Sequence, residues 1–373
     1  MTAATHAAAS HGSAAPSGDG DAGPRRVLVV DDSVVARAVI SRTLEGSGRY
    51  LVAGSVANAT AALEFLARER VYAVLLDIQM PGVDGLTALP DLLAATEARV
   101  LIVSAAAGQG AAATVQALAL GAADTLVKPG AGDSSQRFGE QLLDKLDRLG
   151  QPVSTALALP APTPVTTTMS ERLAGAAQAA RDSFDVIAIG ASTGGIHALS
   201  GMLRALPASV TQPILITQHL PASFMPYFAA QLTVIAGRPC EVAVDRLRMR
   251  PGRMIVAPGD AHLRCVRLAD GGGAIRLSSE SVASGCLPSV DPMFASVASA
   301  FGSRVLAIVL SGMGRDGAEG ARVVRAAGGC VVVQDQTSST VWGMPGAVAS
   351  LGLADAVMAP EAIGRLLAGG RRP

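Results

Sequence analysis

The 373-residue chain predicts an α/β protein made of two doubly wound parallel sheets joined by a linker. Three observations carry that prediction. Short apolar runs rich in Val, Ile and Leu alternate with helix-length segments, the alternation occurs twice, and a Pro-, Ala- and Thr-rich stretch separates the two sets. A chain of this length suits two domains that each bury their own core.

In the first set, strands are expected at Arg26–Val30, Leu51–Ser55, Ala73–Leu76, Val100–Val103 and Thr125–Val127. Helices fill the gaps, for instance Ala59–Arg68 and Ala111–Leu120. The second set places strands at Val186–Ile189, Ile214–Thr217, Met254–Ala257, Val305–Leu310 and Cys330–Gln334. Residues 1–24 read as a disordered tail, with no basic residue before Arg25 and no long aliphatic stretch, so a signal or transit peptide does not fit. The domains are expected at 25–148 and 183–368. Between them, a linker over 149–182 carries Pro152, Pro160, Pro162 and Pro164, with room for a short helix at Ser170–Ala180.

Bulk properties exclude several classes. Formal charge is zero, so no global attraction to nucleic acid or membrane is expected. The apolar stretch from Val100 to Val127 is broken by Gly108, Gln109, Gly110, Gln116 and Asp124, unlike a membrane span. Cys240, Cys265, Cys286 and Cys330 are far apart and form no Cys-x-x-Cys pair, as in a reduced cytosolic protein. A cytoplasmic monomer without membrane insertion is expected.

Functional groups of open parallel sheets gather at the carboxyl ends of strands. In the first module those ends hold Asp31, Asp32, Asp77, Ser104 and Lys128. Clustered carboxylates repel one another, and a divalent ion such as Mg²⁺ relieves that repulsion. Lys128, one of only two lysines, adds a positive charge. Treating each aspartate as a helix cap or loop start explains the residues singly but not the set. Val-Leu-Val-Val-Asp-Asp-Ser, Leu-Asp-Ile-Gln-Met-Pro-Gly-Val-Asp-Gly and Gly-Ala-Ala-Asp-Thr-Leu-Val-Lys-Pro together resemble a response-regulator receiver domain. The resemblance implies a flavodoxin-like fold with Asp77 as phospho-acceptor. It also implies that Asp31, Asp32 and Asp77 hold Mg²⁺, and that Ser104 and Lys128 respond to the phosphoryl group.

In the second module, Ser192 lies where an apolar run breaks into Gly190-Ala-Ser-Thr-Gly-Gly195. Flanking glycines permit a sharp turn that exposes a nucleophilic hydroxyl. The same serine also suits a helix N-cap. Of five histidines, His6 and His11 fall in the tail, and His197 lies about 140° further round the following helix. His219 follows the apolar run Pro213–Gln218, at a strand's carboxyl end, and is the better base; His262, expected in a loop, is second. Asp316 follows another strand on the same rim and would orient the imidazole, while the Met313 N–H suits an oxyanion. The segment Gly312-Met-Gly-Arg-Asp-Gly317 also fits G-x-G-x-x-G, with Asp335 at the end of the next strand. That leaves an NAD-dependent enzyme as an alternative, weakened by the Asp316 carboxylate inside a turn meant for pyrophosphate.

Five motifs follow in order: Ile-Gly-Ala-Ser-Thr-Gly-Gly, Gln-His-Leu-Pro-Ala-Ser-Phe, Pro-Ser-Val-Asp-Pro-Met-Phe, Leu-Ser-Gly-Met-Gly-Arg-Asp-Gly and Trp-Gly-Met-Pro-Gly-Ala-Val. They resemble the catalytic domain of chemotaxis protein-glutamate methylesterases, and with the receiver the likeness spans about residues 25–365. It implies a Rossmann-like hydrolase domain with Ser192 as nucleophile, His219 as general base, Asp316 as orienting acid, and Thr193 and Met313 at the oxyanion site. It further implies methyl-accepting chemoreceptors as substrates, a chemotaxis histidine kinase as phosphodonor, glutamine deamidation as a second activity, and no cofactor for the esterase step. Ser284-Gly-Cys-Leu departs from the basic or His-containing run usual before Pro288 in such enzymes.

The tandem arrangement suggests that an unphosphorylated receiver covers the rim holding Ser192. The basic run Arg246, Arg248, Arg250, Arg253, Arg264 and Arg267 is either a solvated strand face or a dock for glutamate-rich helices. A DNA-binding response regulator would need a basic recognition-helix module after the linker. The second half offers strands and mild positive charge instead.

Overall fold

The computed structural model describes residues 23–104, 109–129, 135–149 and 184–367. Residues 1–22 of the expected tail, and 150–182 of the expected linker with its helix at Ser170–Ala180, lie outside the described residues. The first sheet contains β1 (Arg25–Val30), β2 (Tyr50–Val56), β3 (Ala73–Leu76), β4 (Arg99–Ser104) and β5 (Asp124–Val127). Between and after them run α1 (Val34–Gly46), α2 (Ala59–Leu66), α3 (Gly85–Ala95), α4 (Gln109–Leu120) and α5 (Ser135–Leu149). The strand order β2-β1-β3-β4-β5 is parallel throughout and of the flavodoxin type. Val27 to Val30 and Ala73 to Leu76 are buried on both faces, which is why these strands read as unbroken apolar runs.

Polar side chains set where the helices of this module begin. Ser33, Asn58 and Asp84 each accept a backbone N–H in the first turn of α1, α2 and α3. Capping therefore falls to Ser33, not to Asp31 or Asp32.

The second sheet is built from β6 (Val186–Ala191), β7 (Ile214–Gln218), β8 (Cys240–Val242), β9 (Met254–Val256), β12 (Val305–Val309), β13 (Cys330–Gln334) and β14 (Ala356–Met358). Its order is β14-β13-β12-β6-β7-β9-β8, again all parallel. A separate antiparallel hairpin pairs β10 (His262–Arg267) with β11 (Gly273–Ser278). The helices are α6 (Gly195–Arg204), α7 (Met225–Ala236), α8 (Val290–Phe301), α9 (Ala318–Ala326), α10 (Met344–Ser350) and α11 (Pro360–Leu366). They cover both faces. Ile187 and Ile189 pack with Leu199 and Met202 of α6, whereas Val186 and Ala188 pack with Phe294 and Val297 of α8.

All ten expected strands are present, with ends displaced by a residue or two. The structure adds β8, β14 and the β10–β11 hairpin. His262, expected in a loop, opens β10 and pairs with Ser278. Edge strands as short and half-buried as β8 and β14 leave no periodic pattern long enough to read.

The two modules meet through α4. It packs against α6, α7 and the short turn Ala222–Phe224, and Leu118 and Ala122 join the apolar cluster that contains Ile196 and Leu220. Across this boundary the Gly194 N–H donates to Ala123 O at 2.8 Å.

Candidate active site

β6 and β12 are neighbours where the strand order reverses, the place at which open α/β sheets bind ligands beyond their strand ends. Ser192 follows β6 directly. Its N–H donates to Ser311 O beyond β12 (3.0 Å), and Gln218 Nε2 donates to its carbonyl (2.9 Å). Gly194, at φ 74°, is the N-cap of α6 and supplies no side-chain cap, so Ser192 is not the capping residue. A Cβ at Gly194 would lie 2.3 Å from Thr340 Cβ, and one at Gly312 would lie 2.9 Å from Ser192 Cβ. Those two glycines let the backbone close around the serine.

His219 leaves β7 with its N–H on Ala191 O (3.1 Å), which fixes the ring beside the β6 turn. Its Nε2–H donates to Asp316 Oδ2 at 2.8 Å. Asp316 is 2 % exposed, and a buried carboxylate is tolerated only when its oxygens are satisfied. Here they are. Ser289 Oγ (2.6 Å), Val290 N (2.7 Å), Gly317 N (3.1 Å) and Asp291 N (3.3 Å) also donate to it. Burial pushes the Asp316 carboxyl up, but the His219 ring, the Ser289 hydroxyl and the Val290 N–H together hold it down at about 2. Burial lowers the His219 imidazole, yet Asp316 and the neighbouring Cys286 thiol raise it to about 9. A cleft of about 840 Å³ is lined by Ser192, Thr193, His219, Cys286, Met313 and Asp316, among others. A hydroxyl, and an imidazole oriented by a buried carboxylate, facing one cleft are the parts of nucleophilic acyl transfer.

Two alternatives fall away on geometry. His262 is 1 % exposed, donates from Nε2 to Glu280 O (2.8 Å) and accepts the Ser289 N–H at Nδ1 (3.0 Å). With both nitrogens engaged it is no base; it holds the segment that delivers Ser289 to Asp316. In the Gly312–Gly317 turn, the Gly312 N–H donates to Val341 O and the Gly317 N–H to the Asp316 carboxylate, so a fixed negative charge occupies the start of α9 where a pyrophosphate would sit. Asp335 accepts from Thr337 and Ser338, which ties it into its own turn.

In the first module, Asp31 and Asp77 are buried, Asp32 is exposed, and one oxygen from each lies within 4.8 Å of the others. Lys128 Nζ pairs with Asp31 Oδ2 (2.8 Å) and Asp77 Oδ2 (2.6 Å). Burial, and then the charge of Asp31, raise the Asp77 carboxyl against the opposing pull of Lys128. Ser104 Oγ bonds instead to Thr114 Oγ1 of α4, at 2.5 Å.

Residues 187–367 match the family model described as CheB methylesterase, and residues 27–135 match the response regulator receiver domain. A protein-glutamate methylesterase/protein-glutamine glutaminase of Azospirillum brasilense is 40 % identical over 374 residues, covering 94 % of this chain and 93 % of that protein. One from Caulobacter vibrioides is 41 % identical over 348 residues, covering 92 % and 98 %. The chain belongs to this methylesterase family. The solved catalytic domain of the Thermotoga maritima CheB methylesterase is 32 % identical, covers 50 % of this chain and 97 % of that chain, and gives a TM-score of 0.48.

In this methylesterase-family chain the receiver contributes directly to the cleft. Thr193 Oγ1 donates to Asp124 Oδ2 at 2.7 Å, and Lys145 Nζ pairs with the same oxygen at 2.9 Å. His197 reaches the receiver too, with Nδ1 on Ala119 O at 3.1 Å. Asp124 and Lys145 were not singled out from sequence, because only docking of the two modules brings them to Ser192.

The basic run is largely neutralised locally. Arg246 pairs with Asp245, Arg248 with Asp270, Arg253 with Glu241 and Arg264 with Glu280. Arg267 donates to Ala300 O over the Phe301 ring. These pairings favour a solvated face over a dock.

Changing Asp316→Asn removes one of the two groups that raise His219 and leaves Cys286, which still raises it, against burial, which lowers it. The His219 pKa should fall below about 9, measured by an NMR pH titration of the ring. A value still close to 9 would contradict the assigned cause.

Proposed function

We propose that this chain removes methyl esters from glutamate side chains of chemoreceptors, deamidates receptor glutamines, and is activated by phosphorylation of its receiver. The observation that carries it is the His219–Asp316 hydrogen bond beside Ser192 in one cleft. Ser192 acts as the nucleophile on the γ-glutamyl carbonyl, and His219 accepts its proton. Asp316 stabilises the imidazolium that results. Thr193 and the Met313 N–H assist the oxyanion. His219 returns the proton to the departing methanol, or to ammonia from glutamine, and water releases the acyl-enzyme. A base raised toward 9 is increasingly neutral as pH rises, so hydrolysis gains rate on the alkaline side of neutrality.

For the receiver, an all-oxygen donor set of Asp31, Asp32 and Asp77 fits Mg²⁺. Asp31 Oδ2 is buried without a hydrogen bond and is held only by its ion pair to Lys128, which is consistent with a cation site. Bound there, Mg²⁺ would neutralise charge on a phosphoryl group at Asp77 donated by a chemotaxis histidine kinase. Lys128 pairs with that group, and Ser104 turns toward it and gives up Thr114. Thr114 belongs to α4, a rod of about 18 Å. The far end of α4 carries the Ala119 carbonyl bonded to His197. Freed, α4 withdraws Ala123 and Asp124 from Gly194 and Thr193, and the cleft opens.

Methanol release from a methylated receptor tests both parts. The wild type should release methanol, faster once Asp77 is phosphorylated, and Ser192→Ala should keep only a residual rate, lower by about 10³-fold or more. Asp124→Ala removes a charge-assisted bond worth about 1.5–3 kcal/mol and should raise the unphosphorylated rate about tenfold or more. Equal rates for wild type and Ser192→Ala would end the hydrolase proposal. An unphosphorylated rate unchanged or lowered by Asp124→Ala would end the covering mechanism.

A further inference from the structure

We propose that Cys286, His219 and Asp316 form a binding site for a thiophilic divalent cation of the zinc class, and that its occupancy stops hydrolysis. One ligand atom from each of the three lies within 4.8 Å of the others. The set is mixed, with sulfur, imidazole nitrogen and carboxylate oxygen, and the cleft leaves a fourth position open to water. That is zinc donor chemistry, and it differs from the all-oxygen cluster in the receiver.

Local structure delivers the thiol. Gly285, at φ 67°, turns the chain ahead of Cys286. The Cys286 N–H donates to Ser284 Oγ (3.4 Å), and its Sγ lies 3.7 Å from Ser284 O. The residue lines the cleft with Ser192 and His219. Cys240 and Cys265 are unsuited. Burial pushes the Cys240 and Cys265 thiols up to about 12, and Cys265 Sγ sits on Met249 Sδ at 3.3 Å.

A tetrahedral ion with ordinary zinc bond lengths holds its ligand atoms about 3.4–3.6 Å apart. His219 Nε2 and Asp316 Oδ2 are now 2.8 Å apart around a shared proton, so a small outward rotation of the part-exposed ring makes room. The ion takes the Oδ2 lone pair that accepts the Nε2–H, while Val290 N–H stays on the other. The thiol proton of Cys286 leaves to solvent, and the Nε2 proton moves to Nδ1 or leaves as well. A metal-bound imidazole no longer accepts a proton from Ser192. The effect on hydrolysis rests on the hydrolase reading above; the site itself does not.

The full chain is titrated with Co²⁺ as a spectroscopic substitute for Zn²⁺. Wild type and Ser192→Ala should both develop a near-ultraviolet thiolate-to-cobalt charge-transfer band that saturates at one ion and is removed by Zn²⁺. Cys286→Ser should lack it. Zn²⁺ should inhibit wild-type methanol release, reversibly with chelator, at a concentration at least about tenfold below that needed for Cys286→Ser. Absence of the band in wild type, or its persistence in Cys286→Ser, overturns the site. Equal Zn²⁺ sensitivity of the two proteins overturns the inhibition. A normal cobalt band in a chain that never releases methanol would instead count against the hydrolase reading.

Discussion

The carboxylate of Asp316 is the point on which the catalytic half depends. An unpaired charge at that depth would cost several kcal/mol, so the fold directs donors from three places onto two oxygens. They come from His219 after β7, Ser289 and Val290 at the start of α8, and Gly317 ahead of α9. The same bonds that satisfy the charge therefore lock two helix starts and the imidazole to one spot. His262 extends the arrangement by holding the Ser289 N–H. Positioning of the imidazole follows from solving a burial problem.

A second constraint joins the halves. Asp124 opens β5 and Lys128 follows its last residue, so the Thr193 contact and the Asp77 cluster sit at opposite ends of one strand, about 13 Å apart. A phosphoryl group at Asp77 cannot reach the cleft directly. α4 links the two, tied at its middle to Ser104 through Thr114 and near its carboxyl end to the catalytic half through Ala119. Such a helix moves as a unit because its interior hydrogen bonds are complete.

Much of this was legible in the sequence, and the reason is physical. Strands buried on both faces print as apolar runs, and parallel sheets place working residues just after them. That rule puts Ser192, His219 and Asp316, like Asp31, Asp77 and Lys128, at strand ends, and there the structure has them. What stayed hidden depends on contacts between distant segments. Asp124 and Lys145 carry no local mark of their place beside Thr193. His262 looked like a spare base because the β10–β11 hairpin that buries it has no strong alternation. Ser104 reads from sequence as lying just past the fourth strand, whose last residue it is, but its bond to Thr114 belongs to the packing of α4.

Whether Ser192 and His219 work as one unit is measured most directly by a double-variant cycle on methanol release from methylated receptor. Groups that share one proton transfer lose their effect together, so the Ser192→Ala/His219→Ala protein should be no slower than Ser192→Ala alone. Losses that multiply, with the double variant slower by the product of the two single effects, would contradict the account.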